Sequence, residues 1–340
     1  MVQKNRILIV SVNWLGDLLF MTPAIRAIRS RYPHSRIVCL APERGIELLR
    51  TNPHLNEVIP YRESRGLCGF FRWIGIAARL KKEKFDAVFL FHRSFTRAMA
   101  AWLAGIPCRI GYRRKKQGWL LTQSIDPPDK DSIHKAAWYM KLLEVDGIRS
   151  DDLSYDIGLE QTDFTEADRL LKHLGIDSSR KIVALHPGAN WVLKRWPVGE
   201  FARLADEIQE KTQAAVLFIG GEGDLPLVEK VAGRMRSRPF VATGKTTLKQ
   251  TGALLTRVSV LISNDSGPLH LGAAVGTPVV GLFGPTLPHV SGPPSGSNAV
   301  SLFGSIGCPV PCYQLKCPAN LCMSEIKVEQ VLAAAEPYLR

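Results

Sequence analysis

Residues 258–283, VSVLISNDSGPLHLGAAVGTPVVGLF, decide the fold. An apolar run, Val258–Ser263, reads as a strand and ends in the polar turn Asn264-Asp265-Ser266-Gly267-Pro268. The chain then enters a helix over Leu269–Val275, where Pro268 suits the first turn and Ser266 or Gly267 can cap it. A second strand follows at Pro278–Phe283. Strand, helix and strand in that order form the repeating unit of a parallel sheet, because parallel neighbours need a crossover between them.

The same rhythm runs outward in both directions. Upstream, in the second half, strands are expected at Lys181–His186 and Ala215–Gly220, with a helix at Thr165–Leu174. In the first half the expected strands are Arg6–Val12, Arg36–Ala41, Glu57–Pro60, Phe85–Phe91 and Cys108–Tyr112. Helices are expected from Thr22-Pro23 to about Tyr32, then at Leu67–Lys82, Phe95–Ala104 and His134–Val145. The polar stretch from Asp146 to Asp163 breaks the rhythm and reads as a linker. A chain of 340 residues also exceeds the usual size of one hydrophobic core. The expectation is an α/β protein of three parts: a Rossmann-like domain over 1–155, a second over 156–324, and a C-terminal helix over 325–340. The two parallel sheets are expected to face each other across a cleft, with ligands at the carboxyl ends of the strands.

Composition narrows the function. No apolar run is long enough to span a bilayer, and the short stretch Ile7–Val12 lacks the features of a signal peptide, so a cytoplasmic protein is expected. Seven cysteines, an odd number without export features, argue against a disulfide framework. Residues 1–150 hold 26 Lys and Arg against 12 Asp and Glu, a net of +14, while residues 151–340 hold 18 against 19. Such a field draws polyanions or an anionic membrane surface. Nucleic acid is not the expected partner, for the sequence carries no zinc finger, no RNP-type aromatic motif and no recognition helix.

Several strand-end loops carry polar groups suited to chemistry. Free amides at the helix start by Ser266-Gly267 would suit a diphosphate, or these residues only cap the helix. His186-Pro187-Gly188-Ala189-Asn190 leads to Lys194-Arg195-Trp196-Pro197, with a glycine for a tight turn and two cations near a strand end. Gly220-Gly221-Glu222-Gly223-Asp224 departs from the dinucleotide fingerprint, because Pro226 stands where its third glycine belongs. Glu222 or Asp224 could accept from ribose hydroxyls or be plain surface acids. Asp17, in the Asn13-Trp14-Leu15-Gly16-Asp17 loop after the first strand, is either a general base or an N-cap carboxylate. The basic run Arg113, Arg114, Lys115 and Lys116 contacts acceptor phosphates or is a solvated loop.

Metal chemistry finds little support. The one D-x-D, Asp129-Lys130-Asp131, carries a lysine between its acids and lies beside prolines. Cys308, Cys312, Cys317 and Cys322 cluster near the end of the chain but match no standard zinc spacing, and their role is not legible. No G-x-S-x-G nucleophile elbow is present.

Taken together, the loops resemble glycosyltransferase family 9, the ADP-heptose:lipopolysaccharide heptosyltransferases. The resemblance rests on Asn13-Trp14-Leu15-Gly16-Asp17, on Ser94-Phe95 with Leu103-Ala104-Gly105-Ile106-Pro107, and on Gly111-Tyr112-Arg113. It continues through Pro187-Gly188-Ala189, Lys194-Arg195-Trp196-Pro197, Asn264-Asp265-Ser266-Gly267 and Gly284-Pro285-Thr286. Within the family it is nearest to the enzymes that add the second inner-core heptose.

The resemblance implies a GT-B fold and an inverting, metal-independent transfer that needs no cofactor. It makes Asp17 the base and Lys194 the partner of the departing diphosphate. Gly188, Lys194, Glu222, Asp265, Ser266 and Gly267 would bind the donor, ADP-heptose. Asn13, Trp14, Arg113, Arg114 and Lys115 would bind the lipopolysaccharide inner-core acceptor. The work would be done at the cytoplasmic face of the inner membrane, against its anionic surface. The alternatives are a family-9 transferase for another core position or donor, a nucleotide-sugar epimerase of similar fold and, more remotely, a non-catalytic polyanion-binding protein.

Overall fold

The structure is a computed structural model. It describes residues 4–62, 66–114, 118–129, 131–177, 179–312, 317 and 319–340, and the side chains of 66–70 are outside that description. Lys115, Lys116, Lys130 and the Cys68 side chain therefore lie outside the described residues. The chain divides into two compact units between Gly158 and Leu159.

The first unit contains β1 (Arg6–Val10), α1 (Leu15–Arg31), β2 (Arg36–Pro42), α2 (Ile46–Leu49), β3 (Glu57–Tyr61) and α3 (Gly66–Glu83). It continues with β4 (Ala87–Leu90), α4 (Phe95–Leu103), β5 (Cys108–Tyr112), β6 (Gln123–Ile125) and α5 (Lys135–Leu143). Its six strands are all parallel, in the order β3-β2-β1-β4-β5-β6. Side chains alternate across a strand. Leu8, Val10, Val38, Leu40, Val88 and Leu90 accordingly share one core with Leu80 of α3 and with Ala98 and Ala101 of α4. Helices α1 and α5 pack together, as do α3 and α4.

The second unit contains α6 (Gln161–His173), β7 (Ile182–His186), α7 (Val198–Thr212), β8 (Ala215–Phe218), α8 (Leu225–Ala232), β9 (Phe240–Val241) and α9 (Leu248–Leu255). After these come β10 (Val260–Asn264), α10 (Gly267–Ala274), β11 (Val279–Phe283), α11 (Pro288–Ser291), β12 (Ala299–Phe303), α12 (Leu321–Ser324) and α13 (Val328–Ala335). Its strands are parallel in the order β12-β11-β10-β7-β8-β9. The last helix, α13, lies against α7, and its Val328 and Val331 join the core built by Phe201, Leu204 and Ile262.

The expected parallel α/β construction is present in both units, and three local readings need correction. Helix α1 begins at Leu15, not at Thr22, so Pro23 lies inside it. A proline there removes the amide that would serve the carbonyl four residues back. That carbonyl, Leu19 O, receives the Thr22 hydroxyl instead, at 2.8 Å. Asp17 consequently belongs to the first turn of a helix and not to a loop. The polar stretch after Asp146 is also shorter than expected at both ends. Asp146 is held by Lys4 and Tyr32, and Asp163 accepts from the Glu160 amide at 2.8 Å, which starts α6 at Gln161.

Candidate active site

Each sheet reverses its strand order once, between β1 and β4 in the first unit and between β7 and β10 in the second. Crevices at such points are where open α/β sheets bind ligands. The loops that leave these four strands carry most of the residues singled out from sequence.

In the first unit β1 runs out to Ser11, and the chain turns into α1 with Trp14 as N-cap. Asp17 occupies the first helical turn, where a negative charge interacts favourably with the helix dipole. Lys135 of α5 places its Nζ 3.3 Å from Asp17 Oδ1, and the buried Tyr139 lies near enough for the Asp17 charge to act on its phenol. Burial first, and then the Asp17 charge, push the Tyr139 phenol well above its ordinary range, so it remains a donor.

Asn13 is fixed from below. Its Oδ1 accepts from Tyr61 at 3.2 Å and from Arg97 of α4, whose guanidinium also donates to Ser11 O at 2.8 Å. Arg97 is buried, and its guanidinium lies over the rings of Tyr61 and Trp73. Trp14 is exposed, with Arg44 over its ring. Arg113 reaches Ser124 and Asp126, and Arg114 donates to Arg93 O at 2.7 Å. Those two arginines are therefore engaged at the edge of the sheet, on the β5–β6 side.

In the second unit Lys194 and Asp265 meet directly. Lys194 Nζ donates to Asp265 Oδ2 at 2.6 Å, and the hydroxyls of Thr286 (2.6 Å) and Ser291 (3.1 Å) donate to the same oxygen. His270 Nε2 stands 3.7 Å from the other carboxylate oxygen. Burial would push the Asp265 carboxyl up. The nearby His270 ring and the Lys194 charge outweigh it and hold the group far below the usual carboxylate range. Asp265 thus anchors Lys194, and its carboxylate is committed to protein donors.

Ser266 is the N-cap of α10, yet its side chain makes no cap bond. The hydroxyl lies 3.0 Å from His186 Nδ1 and 3.1 Å from Ser263 Oγ instead. The first-turn amides of α10 are thereby left uncapped by Ser266. His186 Nε2 lies 3.4 Å from Asp224 Oδ2, which also accepts from the Gly221 amide at 3.0 Å. Burial opposes the charge on Asp224, but the contact with His186, the Gly221 amide and Arg195 leave its carboxyl below the usual value. Gly188 is required here, since a Cβ would fall 2.3 Å from Asp224 Oδ1. Glu222 is exposed, in the same 3-10 turn (Glu222–Asp224) that brings Asp224 to this network.

Asn264 ties the two loops together. Its amide nitrogen donates to Pro187 O at 2.8 Å, and its Oδ1 accepts from Trp196 N at 3.0 Å. The buried Trp196 ring packs on Phe201, so the segment bearing Lys194 is pinned to the core. Sequence reasoning missed His186, Arg97, Lys135, Tyr139, His270 and Ser291 as site members. Of these only His186, the last residue of a strand, carried a readable signal. Among the described residues no three His, Cys, Asp or Glu side chains come close enough to hold a metal ion, and the tail cysteines are free thiols.

Two parallel doubly wound sheets, each with polar groups gathered at its reversal point, define the GT-B class of glycosyltransferases. The chain belongs to glycosyltransferase family 9 (heptosyltransferase), whose model matches residues 73–321. It is 27% identical over 303 residues to lipopolysaccharide heptosyltransferase 2 of Escherichia coli K12, covering 85% of each chain. Among solved structures it is similar to the family 9 glycosyltransferase of Veillonella parvula. That likeness has a TM-score of 0.88 at 26% identity and covers 100% of this chain and 98% of the other. The fold also matches E. coli ADP-heptose lps heptosyltransferase II, with a TM-score of 0.81 at 23% identity over 98% of both chains.

Proposed function

We propose that this glycosyltransferase moves heptose from ADP-L-glycero-β-D-manno-heptose to the inner-core heptose of lipopolysaccharide, with inversion and without a metal. The observation that carries the reading is the uncapped start of α10 in the second unit, in the same strand-end network as Lys194. Its backbone amides and the ammonium supply positive charge for a diphosphate leaving group, the part a divalent cation plays elsewhere. Gly188 gives the backbone close approach, Ser266 and Gly267 face the phosphates, and Glu222 takes a ribose hydroxyl. Asp265 acts on the donor through the lysine it anchors.

Asp17 accepts the proton of the acceptor hydroxyl, whose oxygen attacks the anomeric carbon. The bond from that carbon to the diphosphate breaks, and its electron pair leaves with ADP. Asn13, Trp14, Arg113, Arg114 and Lys115 hold the acceptor, whose phosphates suit the +14 charge of residues 1–150. Because the acceptor is lipid-linked, the enzyme works as a peripheral protein at the cytoplasmic face of the inner membrane.

Incubation with ADP-heptose and cores truncated at successive heptoses tests the assignment. Product is expected from the core that ends in one heptose. Product only from the core lacking heptose would move the enzyme to the earlier position and overturn this one.

A further inference from the structure

The first unit carries a surface that the transfer reaction does not use. Helices α3 and α4 pack side by side on one face of the sheet, and the turn Gly118–Leu120 lies against α4. Their inward side chains fill the core, while their outward side chains are unusually apolar for a helix layer facing water. On α4, Trp102 and Leu103 are 45% and 43% exposed, and Trp119 of the adjoining turn is 64% exposed. The Trp102 and Trp119 rings meet edge to face with centroids 5.8 Å apart, forming an indole pair on the outside of the molecule. On α3, Phe71 and Ile74 are also exposed.

Over 71–82 the charges of α3 have one sign, and the acid that ends the helix, Glu83, is paired with Arg6 and Arg36. Arg72, Arg79, Lys81 and Lys82 are all exposed on α3. Neither 71–82, nor α4, nor the Gly118–Leu120 turn contains an Asp or Glu. A helix with basic and aromatic or aliphatic residues outward, and no acid among them, is the composition of segments that lie in a membrane interface. Indole rings settle at the headgroup level, with an apolar body and an N–H that stays wet. The helix layer needs only to rest on the lipid, since no described helix is long and apolar enough to cross it.

We propose that the outward face of α3, α4 and the Gly118–Leu120 turn docks into an anionic phospholipid surface. Trp102, Trp119 and Leu103 enter the headgroup layer, and Arg72, Arg79, Lys81 and Lys82 pair with lipid phosphates. The idea deepens the peripheral-membrane part of the proposed function and rests on it, but it assigns the contact to one face and names its residues. Arg97, on the same helix α4, is turned inward and holds Asn13, so docking through α4 bears on the element that supports the Asn13 loop.

The test uses the full chain and vesicles that contain neither donor nor acceptor. Wild-type protein is expected to co-sediment with phosphatidylcholine vesicles holding about 30 mol % phosphatidylglycerol, less so as salt is raised, and weakly with phosphatidylcholine alone. Lipids brominated in the acyl chain should quench part of its tryptophan fluorescence, and the W102F/W119F protein should lose that quenching. The K81E/K82E protein should bind the anionic vesicles at least about fivefold more weakly. Unfolding curves that match wild type guard against misfolding of either variant.

Equal binding to neutral and anionic vesicles, or quenching that persists in W102F/W119F, overturns the proposal. So does a wild-type dimer that W102A/W119A turns into monomer without any vesicle binding, for the face would then meet a second copy. Heptosyl transfer is read separately with a deacylated, water-soluble core. A protein that binds vesicles through this face but transfers nothing refutes the proposed reaction and leaves the docking face standing.

Discussion

Gly188 sits where the Asp224 and His186 side chains converge, and its missing side chain leaves them room to meet. A methyl there would press on Asp224 and on His186 Nε2, 2.8 Å away. Gly188→Ala is expected to lower stability by about 1–3 kcal/mol, as overpacking does, and to weaken ADP binding; thermal unfolding and calorimetry read both. Lys194→Ala should weaken ADP by about tenfold or more, the loss of a charge-assisted contact, measured by the same calorimetry. His92, at the end of β4, offers a test in the other unit. Burial, with Arg97 and Arg114 adding to it, pushes its imidazole down to about 4 from an ordinary 6.5. The unfolded chain then binds the extra proton between these values, so the stability this group contributes is complete above pH 6.5 and declines as pH falls towards 4. In urea titrations His92→Asn should flatten that decline; an unchanged pH slope would mean that His92 is not the group responsible. Residues that follow a strand, such as Asp17, Lys194 and Ser266, were legible because position alone marks them. The partners of Asp17 were not, because Lys135 and Tyr139 come from α5, far away in sequence, and meet it only in the fold.

At the scale of elements, the central strands announced themselves, while of the four edge strands only β3 was expected, at Glu57–Pro60. β1, β4, β7 and β10 are almost wholly buried and each holds an apolar run, interrupted only at the ends by Arg6, His186 and Ser263-Asn264. β6, β9 and β12 went unanticipated, and all three are edge strands. An edge strand has one neighbour, can be as short as Phe240–Val241, and needs no continuous apolar pattern to stay paired. Helix α1 escaped for another reason: a proline in its interior imitates a helix start. The repair by Thr22 makes a specific expectation. Thr22→Val removes the donor to Leu19 O and the acceptor of the Asp156 amide, both inside the fold. It should cost about 1–3 kcal/mol in chemical denaturation, whereas Thr22→Ser should cost much less. Equal losses in the two variants would assign the effect to packing and not to the hydroxyl.

At the scale of the whole molecule, the division of charge falls close to the boundary between the two units. The basic half bears Asp17 and the exposed indole pair, and the near-neutral half bears the network around Lys194 and Asp265. Both the two-part α/β plan and the charge split were readable from sequence alone, since each is a sum over many residues. If the second unit holds the nucleotide, ADP should raise a calorimetric transition belonging to residues 159–340, by about 2.7 kcal/mol at a hundredfold excess over its Kd. A Lys194→Ala protein that binds ADP about tenfold more weakly should keep only about half of that shift, or less, at the same ADP concentration. The central claim, base-assisted transfer without a metal, is tested most directly by single-turnover transfer from ADP-heptose to a one-heptose core in the presence of a chelator. Wild-type enzyme should remain active, and Asp17→Asn should be slower by about 10²–10⁴-fold with ADP affinity unchanged. Transfer by Asp17→Asn at a near wild-type rate, or wild-type transfer that stops on chelation, would contradict it.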